Sequence, residues 1–183
     1  FAMSERNIRM GLIGAGRIGI VHAGSINDTK GVDLVWICDP VVENAEKLAA
    51  QYGAKASADP LVMINSGEVD AILVASPTPT HVPMLEAGID AGLHVLCEKP
   101  IDLDIANVDR LRSKANSAKT KVAIGFNRRF HPQFETINQR VKSGEIGNLE
   151  QLVILSRDPA PAPKAYLEVS GGICEYICSF LKA

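Results

Sequence analysis

Cysteine is scarce here. The chain has four in 183 residues, Cys38, Cys97, Cys174 and Cys178, too few and too scattered for a disulfide framework. Cys38 and Cys97 sit in or beside apolar runs that read as buried strands, where a free thiol behaves as a small hydrophobe. The expectation is a reducing, cytoplasmic location without structural disulfides. No His/Cys cluster has zinc-site spacing, so no metal is expected; Cys174 and Cys178 make half a site at best. An excess of one charge is also lacking. With 19 basic and 21 acidic residues the net charge is −2, which speaks against nucleic-acid or anionic-membrane partners. No apolar run is long enough to span a bilayer. The start, Phe1-Ala2-Met3-Ser4-Glu5-Arg6, has no apolar stretch of the signal-peptide kind, and Phe1-Ala2 reads as an expression remnant. No internal repeat is visible. What is present is apolar substance, 46% of residues, enough for a sizeable core in one domain or a little more.

The chain is organised around Met10-Gly11-Leu12-Ile13 followed by Gly14-Ala15-Gly16-Arg17-Ile18-Gly19 and a segment, Ile20 to Ile26, that reads as helix. This is the strand–turn–helix setting of a dinucleotide fingerprint. Gly14 permits the tight turn, Gly16 lets the backbone approach a pyrophosphate, and Gly19 lets helix and strand pack closely. The helix N-terminus adds N–H donors and partial positive charge. The second apolar run, Val32 to Cys38, ends in Asp39, 20 residues after Gly19, where a carboxylate can accept hydrogen bonds from a ribose 2′-hydroxyl. NAD is the cofactor that pattern favours.

Further on, Val42 to Tyr52 has helical periodicity and Gly53 stops it. Asp59-Pro60 opens a short helix, Leu61 to Ser66. Val69 to Ala75 is a third strand, and Ser76-Pro77-Thr78-Pro79-Thr80-His81 a loop that two prolines keep extended. A helix from Val82 to Ala91, a strand His94 to Cys97, a helix Ile105 to Ala118 capped by Asp104, a strand Lys121 to Gly125 and a helix Gln133 to Lys142 follow. Five short apolar strands alternating with helices predict a doubly wound parallel α/β sheet, a Rossmann fold, with right-handed crossovers. Ligands of such sheets sit beyond the carboxyl ends of the strands, and Gly14, Asp39, Ser76 to His81, Glu98-Lys99 and Asn127 to Arg129 all fall there. The expected division is 1–125 for the cofactor domain and 126–183 for a linking helix and an incomplete α+β substrate domain. In that second part Leu149 to Ser156 reads as a strand, and the proline-rich run 159–163 as irregular.

Lys99 is the sharpest chemical candidate. It ends a buried strand, with Glu98 before it and Pro100 fixing the turn after it. A lysine drawn partly out of water gives up its proton more readily and can exchange protons with a substrate hydroxyl. A surface lysine paired with Glu98 is the plainer alternative.

Taken together, G-A-G-R-I-G, C-D-P, S-P-T-x-x-H, E-K-P and G-F-N-R-R-F-H-P resemble the glucose–fructose oxidoreductase / inositol dehydrogenase family over about residues 7 to 173. The S-R-D-P and S-G-G-I segments are similar to its inositol 2-dehydrogenase branch. The resemblance implies NAD(P)-dependent oxidation of a ring secondary alcohol of a polyol or sugar, myo-inositol to 2-keto-myo-inositol in that branch. It also implies a second domain with a large sheet, and homo-oligomers assembled through it. By position, Gly14, Gly16, Arg17, Ile18 and Gly19 match the pyrophosphate turn, and Asp39 the adenosine-ribose acid. Ala75, Ser76, Pro77, Thr78 and His81 match the loop beside the ribose and nicotinamide. Glu98 and Lys99 match the E-K-P pair, with Lys99 near both nicotinamide and substrate. Asn127 and Arg128 match cofactor contacts, while Arg129 and Arg157 match substrate contacts. Plainer roles stand beside several of these: a helix cap for His81, helix-entry salt bridges for Arg128 and Arg129, an exposed strand-end charge for Arg157.

One departure counts against activity. The family's segment after S-G-G carries an Asp and, four residues on, a His, which complete the proton relay with the E-K-P lysine. Here the chain reads Cys174-Glu175-Tyr176-Ile177-Cys178-Ser179 and contains neither. The abrupt end of the resemblance points to a frameshifted or prematurely terminated frame. The expectation is therefore dehydrogenase ancestry with impaired turnover. The rivals are an inactive NAD-binding module, a dehydrogenase for another sugar, and an interaction protein that keeps the fold without the cofactor.

Overall fold

The structure, a computed structural model, describes residues 6–155 and Lys164. Arg157, the proline-rich run 159–163, Gly171-Gly172 and the tail 173–181 lie outside the described residues. The elements run β1 (Ile8–Ile13), α1 (Arg17–Asn27), β2 (Val32–Cys38), α2 (Val42–Tyr52), β3 (Lys55–Ser57), α3 (Pro60–Ile64), β4 (Ala71–Val74), α4 (His81–Asp90), β5 (His94–Cys97), α5 (Ile105–Ser117), β6 (Val122–Ile124) and α6 (Pro132–Lys142). Contacts divide the chain into two units, Phe1–Gly125 and Phe126–Ala183.

In the first unit six parallel strands form one sheet in the order β3-β2-β1-β4-β5-β6. That is the dinucleotide-fold order, reversing direction at β1/β4. The sheet has six strands where the apolar runs predict five. The extra one, β3, is Lys-Ala-Ser at the sheet edge, too short and too polar to register as an apolar run. α1 begins at Arg17, three residues before the predicted start, so Gly19 lies inside the helix. Gly19, Ala23 and Ile26 form its buried stripe, four and three residues apart. α2 turns Ala45, Leu48 and Ala49 inward and ends at Gly53, whose φ of +68° is left-handed. Asp59 and Asp104 cap α3 and α5, accepting from the N–H groups of Leu61 and Ala106 at 2.8 and 2.9 Å. The loop after β4 is not extended throughout. Thr78–Thr80 form one turn of 3-10 helix closed by Thr80 N–H to Pro77 O at 2.9 Å.

Side chains of successive strand residues enter opposite layers. Leu12 and Leu73 belong to one buried cluster with Leu34, Ile37 and Leu48. Ile13, Ile72 and Val74 belong to the other, with Met63, Leu85 and Val95. Between β1 and β2 the register slips by one. Met10 faces Leu34 and Gly11 faces Trp36, a bulge that turns Trp36 into the same layer as Val35. The Trp36 indole N–H donates to Glu68 at 2.7 Å, and Lys55 both pairs with Glu68 at 2.6 Å and lies 5.3 Å over the ring.

The carboxyl ends of all six strands align. Ser57, Cys38, Ile13, Val74, Cys97 and Ile124 stand in one row across the sheet. The ladder then continues one residue further, since Asp39, Gly14, Ala75, Glu98 and Gly125 donate their N–H groups to Ser57, Cys38, Ile13, Val74 and Cys97 at 2.7–3.1 Å. Every first-unit segment nominated as a site thus leaves the sheet at one level.

In the second unit, Asn127–Phe130 form a turn of 3-10 helix ahead of α6, and His131 meets the Phe134 ring edge-on at 5.6 Å. Residues 149–155 carry no regular structure, which corrects the expectation of a strand from Leu149 to Ser156 over those positions; Ser156 lies outside the described residues. A strand is defined by its ladder, and among the described residues none pairs with this run.

Candidate active site

The glycine turn is built from two different kinds of glycine. Gly14 has φ +103°, and a Cβ there would lie 2.7 Å from Ala75 O. A Cβ on Gly19 would collide with Gly14 O. Both are required by the fold itself. Gly16 is not: its backbone is extended, and a Cβ there would meet nothing within 4 Å. Glycine at 16 keeps the face of the turn bare toward solvent. α1 starts at that bare face with no side-chain cap and no acidic residue in its first turn, which suits an anion. Arg17 is exposed and Ile18 half-buried. An open backbone, an uncapped helix start and a carboxylate on the neighbouring strand fit a dinucleotide.

That carboxylate is Asp39. Oδ2 accepts the Ala15 N–H at 2.8 Å and Oδ1 the Val41 N–H at 2.9 Å. Asp39 therefore ties the glycine turn to the end of β2. Each oxygen keeps a lone pair beyond the bond it makes, so a ribose hydroxyl can still donate to it.

On the other side of β1, the loop after β4 is held from within. The Thr80 hydroxyl donates to Pro77 O at 2.7 Å, which leaves the Ser76 hydroxyl as donor to Thr80 Oγ1 at 2.6 Å. Ala75, Ser76 and Thr78 are half-buried and Pro77 exposed. His81 is 2% exposed. Its ring nitrogens face Ser76 O at 2.8 Å and Pro100 O at 2.7 Å, so the imidazole bridges two loops and bonds no N–H of its own helix. The capping alternative is not what the ring does.

Glu98 and Lys99 leave β5 half-buried, and the Lys99–Pro100 peptide is cis. The Glu98 carboxylate accepts from His22 Nε2 at 2.8 Å and from the Lys99 backbone N–H at 3.1 Å. Burial pushes the Glu98 carboxyl up, but the His22 hydrogen bond and the Lys99 N–H outweigh it, so it titrates below the usual carboxylate range. His22 escaped the sequence reading. The available signal was its position three residues after Gly19, on the face of α1 that meets the sheet. Cys38 and Cys97 end β2 and β5, two strands of the same row with β1 and β4 between them, as buried free thiols; burial pushes Cys38 up to about 12 and Cys97 up as well, which disfavours the thiolate in both.

In the second unit, Asn127 and Arg129 are exposed and Arg128 half-buried. The Arg128 guanidinium lies 5.7 Å over Phe134, and that of Arg129 5.7 Å over Phe126. Arg157 lies outside the described residues.

Residues 8–126 match the model of the GFO/IDH/MocA oxidoreductase family, NAD-binding Rossmann fold. The chain belongs to this family. Similar proteins include the myo-inositol 2-dehydrogenase of Thermotoga maritima, 41% identical over 167 residues that make up 91% of this chain and 50% of the relative. Among solved structures, a myo-inositol dehydrogenase from Corynebacterium glutamicum superposes with a TM-score of 0.86 at 49% identity, covering 94% of this chain and 52% of the other. The scyllo-inositol dehydrogenase of Lactobacillus casei, solved with NAD(H) and scyllo-inositol, gives 0.76 at 29% identity, covering 78% of this chain and 43% of the other. The chain spans about half the length of the curated relatives it matches. Among the described residues no helix is long and apolar enough to cross a membrane.

Proposed function

We propose that this chain is the cofactor-binding part of an NAD-dependent dehydrogenase that oxidises a ring secondary alcohol of a polyol, an inositol being the first substrate to try. The observation that carries this reading is the level row at the strand ends, which brings the bare Gly16 turn, Asp39 and the Glu98-Lys99 turn to one edge of the sheet. The relatives' names supply the substrate class. The cofactor's nicotinamide, when bound, accepts the hydride from the carbinol carbon. The chain's residues do the rest. The α1 N-terminus and the glycine turn hold the pyrophosphate, Asp39 holds the adenosine ribose, and Ala75 to Thr78 line the path toward the nicotinamide. The hydroxyl proton would pass to a base linked to Lys99 as the carbonyl forms, which balances the step: alcohol and NAD⁺ give ketone, NADH and one proton. Asn127, Arg128, Arg129 and Arg157 are assigned to cofactor and substrate contacts on the motif positions they occupy.

Titration calorimetry tests the cofactor assignment. The chain should bind NADH, and more tightly than NADPH, because Asp39 occupies the place of a 2′-phosphate and neither Cys38 nor Pro40 brings a cation. Tighter binding of NADPH overturns it.

A second reading, an NAD-binding module without turnover, is favoured by the sequence after Gly172, which holds neither the Asp nor the His of the relay. Positioned acid–base groups contribute roughly 10²–10⁴-fold. The 183-residue chain should therefore bind NADH yet produce none detectably from saturating myo-inositol. Turnover that disappears in Lys99→Ala would refute the module reading and uphold the enzyme.

Self-association belongs to the same proposal. In residues 126–155 no apolar side chain is buried, and Phe130 and Leu155 are each 81% exposed, a surface of the kind that protein partners cover.

A further inference from the structure

The turn that carries Lys99 is held at both ends by imidazoles from different helices. At its far end Pro100 O faces His81 Nδ1 at 2.7 Å. At its near end the Glu98 carboxylate lies between His22 of α1 and the Lys99 N–H. The near-end link is the informative one, because α1 is also the helix that starts at the bare Gly16 turn.

We propose that His22 is a positioning residue that couples the phosphate-binding helix to Lys99 through the Glu98 carboxylate. The proposal rests on the reading of Lys99 as the group that faces the substrate.

The geometry has three parts. His22 and Glu98 are 76 positions apart, yet their bond is 2.8 Å long with the side chains only 23% and 22% exposed. A pair withdrawn this far from water is screened less than a surface pair and holds its geometry more firmly. Next, the two carboxylate oxygens are divided: Oε1 takes His22, and Oε2 takes the N–H of the very residue to be placed. A displacement of the imidazole therefore moves the Lys99 backbone through one rigid group. Finally, the carboxylate lies beside Gly125, just after β6, where a Cβ would sit 3.4 Å from Glu98 Cδ and Oε2. Glu98 thus has an imidazole on one side and, on the other, room that a glycine at 125 leaves for its carboxylate. Five residues of helix separate Gly16 from His22. A cofactor that draws on the α1 N-terminus also sets the far end of the link.

A purely structural pair would make the same bond, so the test must read Lys99 itself. The whole chain is reductively methylated with ¹³C-formaldehyde, and the Lys99 dimethylammonium signal is assigned by its loss in Lys99→Arg. His22→Phe should shift that signal and raise the NADH dissociation constant about fivefold or more, the low end of coupling between linked sites. His22→Gln, which keeps an N–H donor near the Nε2 position, should restore both most of the way. In a Glu98→Gln background, His22→Phe should add little, the non-additivity of a shared link. A Lys99 signal that stays in place in a folded His22→Phe protein overturns the proposal. Should His22→Phe not fold, an unmoved signal in Glu98→Gln overturns it equally. If the unaltered chain does not bind NADH but its Lys99 signal follows His22, the functional reading falls and the mechanical link stands.

Discussion

Asp39 does two things with one carboxylate, and its replacement should show both. On the proposed reading it holds the adenosine ribose, and it fixes the turn through the Ala15 N–H. Asp39→Ser should narrow the preference for NADH over NADPH and also weaken binding of either, which calorimetry with both cofactors separates. Other carboxylates report on stability. Asp70 is held well below the usual range by hydrogen bonds from Arg6 and then Arg9, Glu68 by those from Lys55 and Trp36, and Glu98 as described. Each has a lower value folded than unfolded, so the folded chain binds fewer protons than the unfolded one below about pH 4–5. The stability they contribute is complete above that window and is lost as pH falls through it. The urea midpoint should drop across the window, and Asp70→Asn should flatten part of the drop. At this scale the sequence nominates candidates, because Gly16, Asp39 and Lys99 sit at fixed offsets from apolar runs. It did not show what holds them. His22 and Glu98 lie 76 positions apart, and no spacing rule reaches that far.

Among the elements, β1, the glycine turn and α1 make one device whose three glycines are separable by substitution. Gly14→Ala puts a side chain at φ +103° against Ala75 O and should cost about 1–3 kcal/mol. Gly19→Ala meets Gly14 O and should also lower the urea midpoint. Gly16→Ala meets nothing, so it should cost only the poorer N-cap, about 1 kcal/mol or less, while NADH binding falls. If Gly16→Ala binds normally, the turn does not receive the pyrophosphate. The helices and the four apolar strands beside β1 were legible because each repeats a 3.6- or 2-residue pattern over a run or forms an unbroken apolar stretch. β3 was not legible, since Lys55-Ala56-Ser57 takes its strand form from pairing with Trp36, Ile37 and Cys38. Leu149 to Leu155 fails in the opposite sense: the pattern is apolar enough for a strand, but no neighbour among the described residues completes a ladder.

At the scale of the molecule, every buried apolar residue among the described ones, from Leu12 to Leu111, belongs to the first unit. A chain ending at Gly125 should therefore fold cooperatively, with circular dichroism and urea unfolding as the measurements; loss of the transition would mean that residues beyond 125 are needed to close the core. The longer chain should self-associate in light scattering through its exposed apolar side chains, and the short one should stay monomeric.

The bulge that carries Trp36 into the sheet interior has an optical consequence. It is the chain's one tryptophan, clamped by Glu68 at its N–H and by Lys55 over its ring. Its emission therefore belongs to the parallel sheet alone. Reduced nicotinamide absorbs where indole emits, so an NADH molecule at the strand ends should quench Trp36 and glow in its place. The unlabelled protein thereby reports both the unfolding of its sheet and the arrival of its cofactor by colour.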